Sequence, residues 1–129
     1  AVVAWTELNN ANVIASVYSS GSWSSPTTIS NTFSGYPKAG TSGSNNFIAW
    51  ISSETGHIQA ARYVSGTWSS PVNLSNDTTN DAPNLSAAAG NSFTVWTDLA
   101  STELKVVEFA TTGSPSSPTV ISNGDIAFG

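Results

Sequence analysis

The sequence predicts an all-β protein built from three copies of one four-stranded unit. Only 9% of the 129 residues are charged, and most of the polarity comes from Ser, Thr, Asn and Gly. Runs of aromatic and β-branched residues alternate with turn signals so closely that no window for a helix remains. A ten-residue phrase, GSWSSPTTIS at 21–30, returns as GTWSSPVNLS at 66–75 and, altered, as GSPSSPTVIS at 113–122.

An internal repeat of about 45 residues accounts for that phrase. Four kinds of anchor recur in the same order at nearly the same spacing. They are Trp5, Trp50 and Trp96; Tyr18, Tyr63 and Phe109; Pro26, Pro71 and Pro118; and Ser-Asn at 30–31, 75–76 and 122–123. The spacing predicts a single domain, 1–129, with repeats at about 1–35, 36–81 and 82–123 and a closing strand at 124–129.

The middle repeat shows the predicted elements in order. Its first strand covers 36–41, and a turn rich in Gly, Ser and Asn leads to the second, 47–52. A turn containing Gly leads to the third, 58–64. A tight Ser-Gly turn then leads to the fourth, 72–74, which a proline opens. A proline at the start of the outermost strand is tolerated because an edge strand needs no N–H there, and it blocks pairing between sheets.

The second strand of the middle repeat is apolar on both faces. Phe47 and Ala49 point one way, and Ile48 and Trp50 point the other. Such a strand must be covered on both faces. Small four-stranded antiparallel sheets stacked on both sides are the blades of a β-propeller, which is the fold we predict. A β-trefoil or a β-prism also has three repeats and is the alternative, although strands that are apolar on both faces suit stacked blades better.

The repeat resembles the propeller repeats of secreted bacterial and lectin-like proteins. In those repeats a second strand ending in an aromatic residue, a Gly turn, a third strand and a Gly-x-Trp turn recur from blade to blade. The resemblance covers the whole chain. It implies a β-propeller that binds a ligand, such as a carbohydrate, between its blades. The alternative is a purely structural or engineered self-assembling propeller fragment that binds no ligand. Together with the low charge, it implies a secreted or cell-surface location.

The ends of the sequence predict self-association. Residues 1–5 read directly as a second strand, and residues 125–129 read as a first strand with no second strand after it. Three blades are too few for a ring, which usually needs about four to eight. We therefore expect the chain to pair with copies of itself. A homodimer would give six blades, and a homotrimer would give nine.

Composition speaks against catalysis and against several kinds of partner. The chain has no Cys, one His and a net charge of −5. The net charge disfavours nucleic acid and anionic membranes. A single His, His57, is too few for a zinc site and stands in a turn, where a solvated side chain is expected. Acidic residues are spread over turns of different repeats instead of being paired. We predict no enzyme activity, no catalytic residues, no cofactor and no metal.

Four residues are candidates for ligand contact. Trp23 and Trp68 stand in the turn after the third strand, where an indole could stack on a sugar ring or cover the contact between two blades. Arg62 and Glu108 occupy one repeat position, where the first repeat has Val17. They could be solvated at the rim or contact a ligand between blades. Because equivalent positions on neighbouring blades point the same way, they should not face each other.

Overall fold

The computed structural model describes residues 1–78 and 80–122, and these form an all-β protein with no helix. The predicted fold class is therefore confirmed at the level of its secondary structure. Within the described residues, no helix is long and apolar enough to cross a membrane. The closing strand predicted at 124–129 lies outside the described residues.

Thirteen strands form three antiparallel sheets, each made of consecutive strands. Sheet 1 contains β1 (Val2–Thr6), β2 (Val13–Ser19), β3 (Ser22–Trp23) and β4 (Thr27–Ser30). Sheet 2 contains β5 (Ser34–Ser42), β6 (Asn45–Ser52), β7 (Ile58–Val64), β8 (Thr67–Trp68) and β9 (Val72–Asn73). Sheet 3 contains β10 (Asn84–Ala88), β11 (Asn91–Asp98), β12 (Glu103–Ala110) and β13 (Thr119–Val120).

Tight turns with left-handed backbone set the register of the hairpins. Ser20 and Gly21 have φ of 51° and 84°, and Ser65 and Gly66 have 52° and 84°. Two consecutive residues with positive φ form the type I′ turn, whose twist matches that of paired strands. This geometry explains why the first two copies of the phrase open with Gly and why a Ser precedes each of them.

The outer strand of sheets 1 and 2 is split, which differs from the single fourth strand predicted. β3 and β4 both pair with β2, and β8 and β9 both pair with β7. The Ser-Ser-Pro segment separates the two halves. The split follows from the proline, which has no N–H to donate to the neighbouring strand.

The three sheets pack face to face in chain order, with sheet 2 in the middle. One apolar cluster fills the first seam, between sheets 1 and 2, and a second cluster fills the second seam, between sheets 2 and 3. Phe47, Ile48, Ala49 and Trp50 of β6 are all fully buried. The prediction that this strand is covered on both faces is therefore confirmed.

Candidate functional site

The two seams are built from the same two kinds of sheet face. We call the face of a sheet that meets the next sheet in chain order its trailing face, and the opposite face its leading face. The trailing face carries Val2, Ala4, Val13, Ala15 and Ile29 in sheet 1 and their repeat equivalents Phe47, Ala49, Ile58, Ala60 and Leu74 in sheet 2. The leading face carries Ile48, Trp50, Ala61 and Trp68 in sheet 2, and Trp96, Val107 and Phe109 in sheet 3. Each seam joins the trailing face of one sheet to the leading face of the next.

The leading face of sheet 1 has no sheet packed against it among the described residues. Val3 and Trp5 are 44% and 37% exposed, whereas their repeat equivalents in sheet 2, Ile48 and Trp50, are fully buried. Tyr18 is also exposed on this face. The difference comes from the missing neighbour, since the residue types at these positions are nearly the same.

The trailing face of sheet 3 is the other uncovered face of the described stack. Strand alternation and register place Phe93, Val95, Leu104 and Val106 on the side away from sheet 2. Phe93 is 42% exposed, whereas its equivalent Phe47 is fully buried. The stack therefore ends in one uncovered leading face and one uncovered trailing face.

The inner edge of sheet 1 is also open in the described chain. β6 pairs with β5 and β7, and β11 pairs with β10 and β12, but β1 pairs only with β2. Ala1 and Tyr18 exchange two backbone hydrogen bonds, and Glu7 donates its amide to the carbonyl of Asn12. In an antiparallel ladder such bonds alternate along the strand. The amides of Val2 and Ala4 therefore point toward the open edge.

The two candidate tryptophans have different surroundings. Trp68 is partly buried, packs on the apolar cluster of the first seam and lies 5.3 Å from the ring of Tyr63. Trp23 makes the same 5.3 Å contact with Tyr18 but is 50% exposed. Trp68 thus covers a seam, and Trp23 occupies the same position at the uncovered leading face.

Arg62 is partly buried and contacts sheet 3 across the second seam. Its guanidinium lies 4.6 Å above the ring of Phe109 and donates hydrogen bonds to the carbonyls of Ala110 (2.6 Å) and Gly113 (2.9 Å). Pro115 stands here in place of the seam tryptophan. The arginine therefore bridges the seam where the third copy of the phrase lacks its indole.

Glu108 lies on the opposite face of β12 from Phe109 and is exposed. Its carboxylate accepts a hydrogen bond from the side-chain amide of Asn91 at 2.6 Å. Arg62 contacts the other face of that strand, so the two side chains are not brought together. The four candidate residues do not form one cluster.

A serine in the repeated phrase has a structural role that the sequence pattern did not reveal. The hydroxyls of Ser24, Ser69 and Ser116 accept hydrogen bonds from the amides of Val17, Arg62 and Glu108, and the serine amides donate to the carbonyls of the same residues. This serine ties the outer strand to the third strand in all three copies, including the copy without tryptophan. Because this serine recurs in all three copies of the phrase, its structural role could have been inferred from the sequence.

A cavity of about 290 Å³ opens at the rim of the first seam. It is lined by Val17, Tyr18 and Tyr63 and by the polar side chains Ser19, Ser44, Asn46 and Ser65. None of the four candidate residues lines it, although Trp23 contacts Tyr18. The ring of Tyr63, which lies on the leading face of sheet 2, and several hydroxyl and amide groups suit a polar ligand with an apolar face.

Acidic and imidazole groups make structural contacts in the described part of the chain. The hydroxyl of Ser75 lies 3.4 Å from Nδ1 of His57, which is partly buried instead of solvated. Lys105 forms ion pairs of 2.7 Å with Asp77 and with the buried Asp98. No group of three or more His, Cys, Asp or Glu residues that could hold a metal occurs within residues 1–78 and 80–122.

The environment of Asp98 changes its acidity. Burial by itself would raise the pKa, but hydrogen bonds from Lys105, from Ser101 and from the amide of Ala100, with the charge of Lys105, outweigh it. The pKa of Asp98 is lowered to about 2. The same contacts with Asp77 and Asp98 raise the pKa of Lys105. The cluster is therefore a fixed ion-pair network near the second seam.

Comparison with known proteins adds no family to this picture. No protein-family model matches the chain, and no curated protein matches it.

Proposed function

We propose that the chain is a non-enzymatic, three-bladed β-propeller module that completes its ring by associating with copies of itself. Two chains would give six blades, within the usual range, and three would give nine. The face-to-face packing of three small antiparallel sheets in chain order supports this proposal.

The open inner edge of β1 is the observation that carries the proposal. The equivalent strands β6 and β11 have a neighbour on both sides, and β1 has one. Unpaired backbone groups on an edge strand are a template for another chain. Residues 124–129 of a sister molecule have the sequence of the strand that we propose for this edge.

Solution mass and hydrogen exchange test the proposed association together. Light scattering of the full chain should give two, or at most three, times the 13.3 kDa chain mass. Amide exchange should show Val2 and Ala4 protected in the assembled form. Val3 and Trp5 are the internal control, because their amides are bonded to β2 whether or not the edge is filled.

A monomer at all concentrations would overturn the proposed association. So would an oligomer in which the amides of Val2 and Ala4 exchange as freely as those of a turn, because the open edge would then not be the contact.

Carbohydrate binding between sheets is a second candidate function, favoured by the cavity at the rim of the first seam. Tyr63 provides aromatic surface there, and the hydroxyl and amide side chains could hydrogen-bond sugar hydroxyls. Tyr18 and Trp23 form a second exposed aromatic surface on the other side of sheet 1, at its leading face. A half-exposed indole can stack on the apolar face of a sugar ring, and repeated weak sites gain affinity through avidity.

A glycan array probed with the intact chain tests carbohydrate binding. Any glycan that binds should lose at least about ten-fold in affinity, about 1.4 kcal/mol, either when Tyr63→Ala removes the ring at the cavity or when Trp23→Ala removes the indole at the leading face. Leu8→Ala, a change in a fully exposed turn, should leave binding unchanged. An array without hits, or binding that neither Tyr63→Ala nor Trp23→Ala weakens, would contradict this candidate function.

A further inference from the structure

We propose that the leading face of sheet 1 docks on the trailing face of sheet 3 of a second copy, so that association is head to tail. This inference rests on the self-association proposed above, and it names the two surfaces that would be in contact. The partner is identified by the chain itself, because both seams inside the molecule are made by the same pair of faces.

The leading face of sheet 1 carries the residues that a seam needs. Val3 and Trp5 take the places of Ile48 and Trp50, which are fully buried in the first seam. Trp23 takes the place of Trp68 and already makes the equivalent ring contact with Tyr18. The face therefore has the apolar pattern of a buried surface, although Val3, Trp5 and Trp23 are exposed on it.

The trailing face of sheet 3 carries the matching half. Phe93 and Val95 take the places of Phe47 and Ala49, and Leu104 and Val106 take those of Ile58 and Ala60. The backbone repeats in the same way: Ile121 donates its amide to Leu104, as Leu74 donates to Ile58. Apolar residues stand at all of these positions, so the face is preformed for the same contact.

One position would distinguish the new seam from the two internal ones. The residue that faces the next sheet is Val17 at the first seam and Arg62, over Phe109, at the second. In the seam between copies it is Glu108, facing the partner's Tyr18. A carboxylate can accept a hydrogen bond from the phenol hydroxyl, whereas it cannot make the cation–π contact of Arg62.

Head-to-tail docking determines what kind of assembly forms. The contact joins two different faces of the chain, so it is heterologous. Such a contact closes into a ring if the rotation per molecule allows it, and otherwise it continues into an open filament.

Two matched variants test the docking surface. Val3→Lys places a charge on the leading face and Phe93→Lys on the trailing face, at side chains that are 44% and 42% exposed within one chain. Each variant alone should raise the dissociation constant at least about 100-fold, because a charge buried without a partner is costly. Leu8→Lys, in an exposed turn, is the control and should associate like the unmodified chain.

Mixing the two variants gives the decisive measurement. Each mixed pair retains one intact leading face and one intact trailing face, so a one-to-one mixture should form a heterodimer of twice the chain mass. Circular dichroism of each variant should match that of the unmodified chain.

The results separate this inference from the proposed function. An unmodified chain that stays monomeric overturns both. An unmodified chain that associates, with variants that associate equally well, overturns only the docking surface. Variants that are monomeric alone and remain monomeric when mixed exclude head-to-tail docking, because each mixed pair retains one intact leading face and one intact trailing face. A single variant that still associates alone would also exclude it and would indicate contacts between like faces.

Discussion

At the residue scale, Lys105 is the centre of a cluster of ion pairs in a chain that has few charged residues. Lys105 has three acidic neighbours within 4.0 Å, and two of them, Asp77 and Asp98, lie at 2.7 Å. Asp98 is almost fully buried and also accepts hydrogen bonds from Ser101 and from the amide of Ala100. Removal of Asp98 would leave Lys105 with less compensation in a poorly solvated site.

Asp98 should make the free energy of unfolding depend on pH. Its pKa is about 2 in the folded chain against 3.8 for an unperturbed carboxyl, so its stabilising effect is present above about pH 4 and is lost as the pH falls toward 2. The shift corresponds to about 2 kcal/mol. Asp98→Asn should therefore be less stable than the unmodified chain at pH 6, and the two should converge near pH 2. Chemical denaturation across this range measures the difference.

Glu54→Gln, in an exposed turn, is the matched control for that titration and should follow the unmodified chain throughout. A stability difference for Asp98→Asn that stays constant from pH 6 to pH 2 would contradict the assigned role of the carboxylate.

The sequence allowed some residue roles to be predicted and concealed others. One of the two alternatives weighed for Trp68 was that it covers the contact between neighbouring sheets, and it packs at a seam. The burial of Asp98 could not be predicted, because it depends on Lys105 in the next strand and Asp77 in a distant loop. The position of Arg62 was equally hidden, since its partners are backbone carbonyls in the following sheet.

At the scale of the elements, β5 and β10 approach each other closely because one of them carries a glycine. A Cβ at Gly40 would lie 2.5 Å from Cδ2 of Leu85 and 3.1 Å from Cβ of Ala87. The leucine side chain can move, but the Cβ of Ala87 is fixed by the backbone. The spacing of sheets 2 and 3 near the inner edge therefore depends on Gly40.

Gly40→Ala should lower the free energy of unfolding by about 1–3 kcal/mol, since the extra methyl forces the two strands apart. Gly35→Ala, on the same strand, is the control: a Cβ there meets nothing within 4 Å and the residue has no left-handed backbone. It should be neutral or slightly stabilising. Guanidinium denaturation measures the free energy of unfolding of both variants. Equal values would show that the close approach of the strands at Gly40 does not affect stability.

The strands themselves were the most predictable elements. The predicted third strand, 58–64, matches β7, because a period of two and the flanking turn residues mark both of its ends. The first strand of the middle repeat is longer than predicted, since β5 begins at Ser34 and continues past an irregularity between Gly35 and Lys38. Its residues alternate weakly in polarity, so hydrophobic periodicity could not locate its start.

At the scale of the whole molecule, the sequence could predict that the sheets stack but not which face meets which. Apolar residues on both sides of 47–52 require two neighbours, and both are found. The consistent trailing-to-leading order became visible only from the packing of named side chains in the two seams. That order is the basis for our proposal that the uncovered surfaces of the described stack are the two halves of one contact, which edge pairing alone did not suggest.

The prolines at the outer edge have a consequence for the shape of any larger object this chain builds. Pro26, Pro71 and Pro118 each stand just ahead of the short outer strands, where they discourage lateral hydrogen bonding. In the self-association proposed above, molecules would therefore meet through the two uncovered faces of the stack and not along its outer edges. Crowding such a protein should leave its particles at the mass of the closed ring instead of driving rings to join edge to edge.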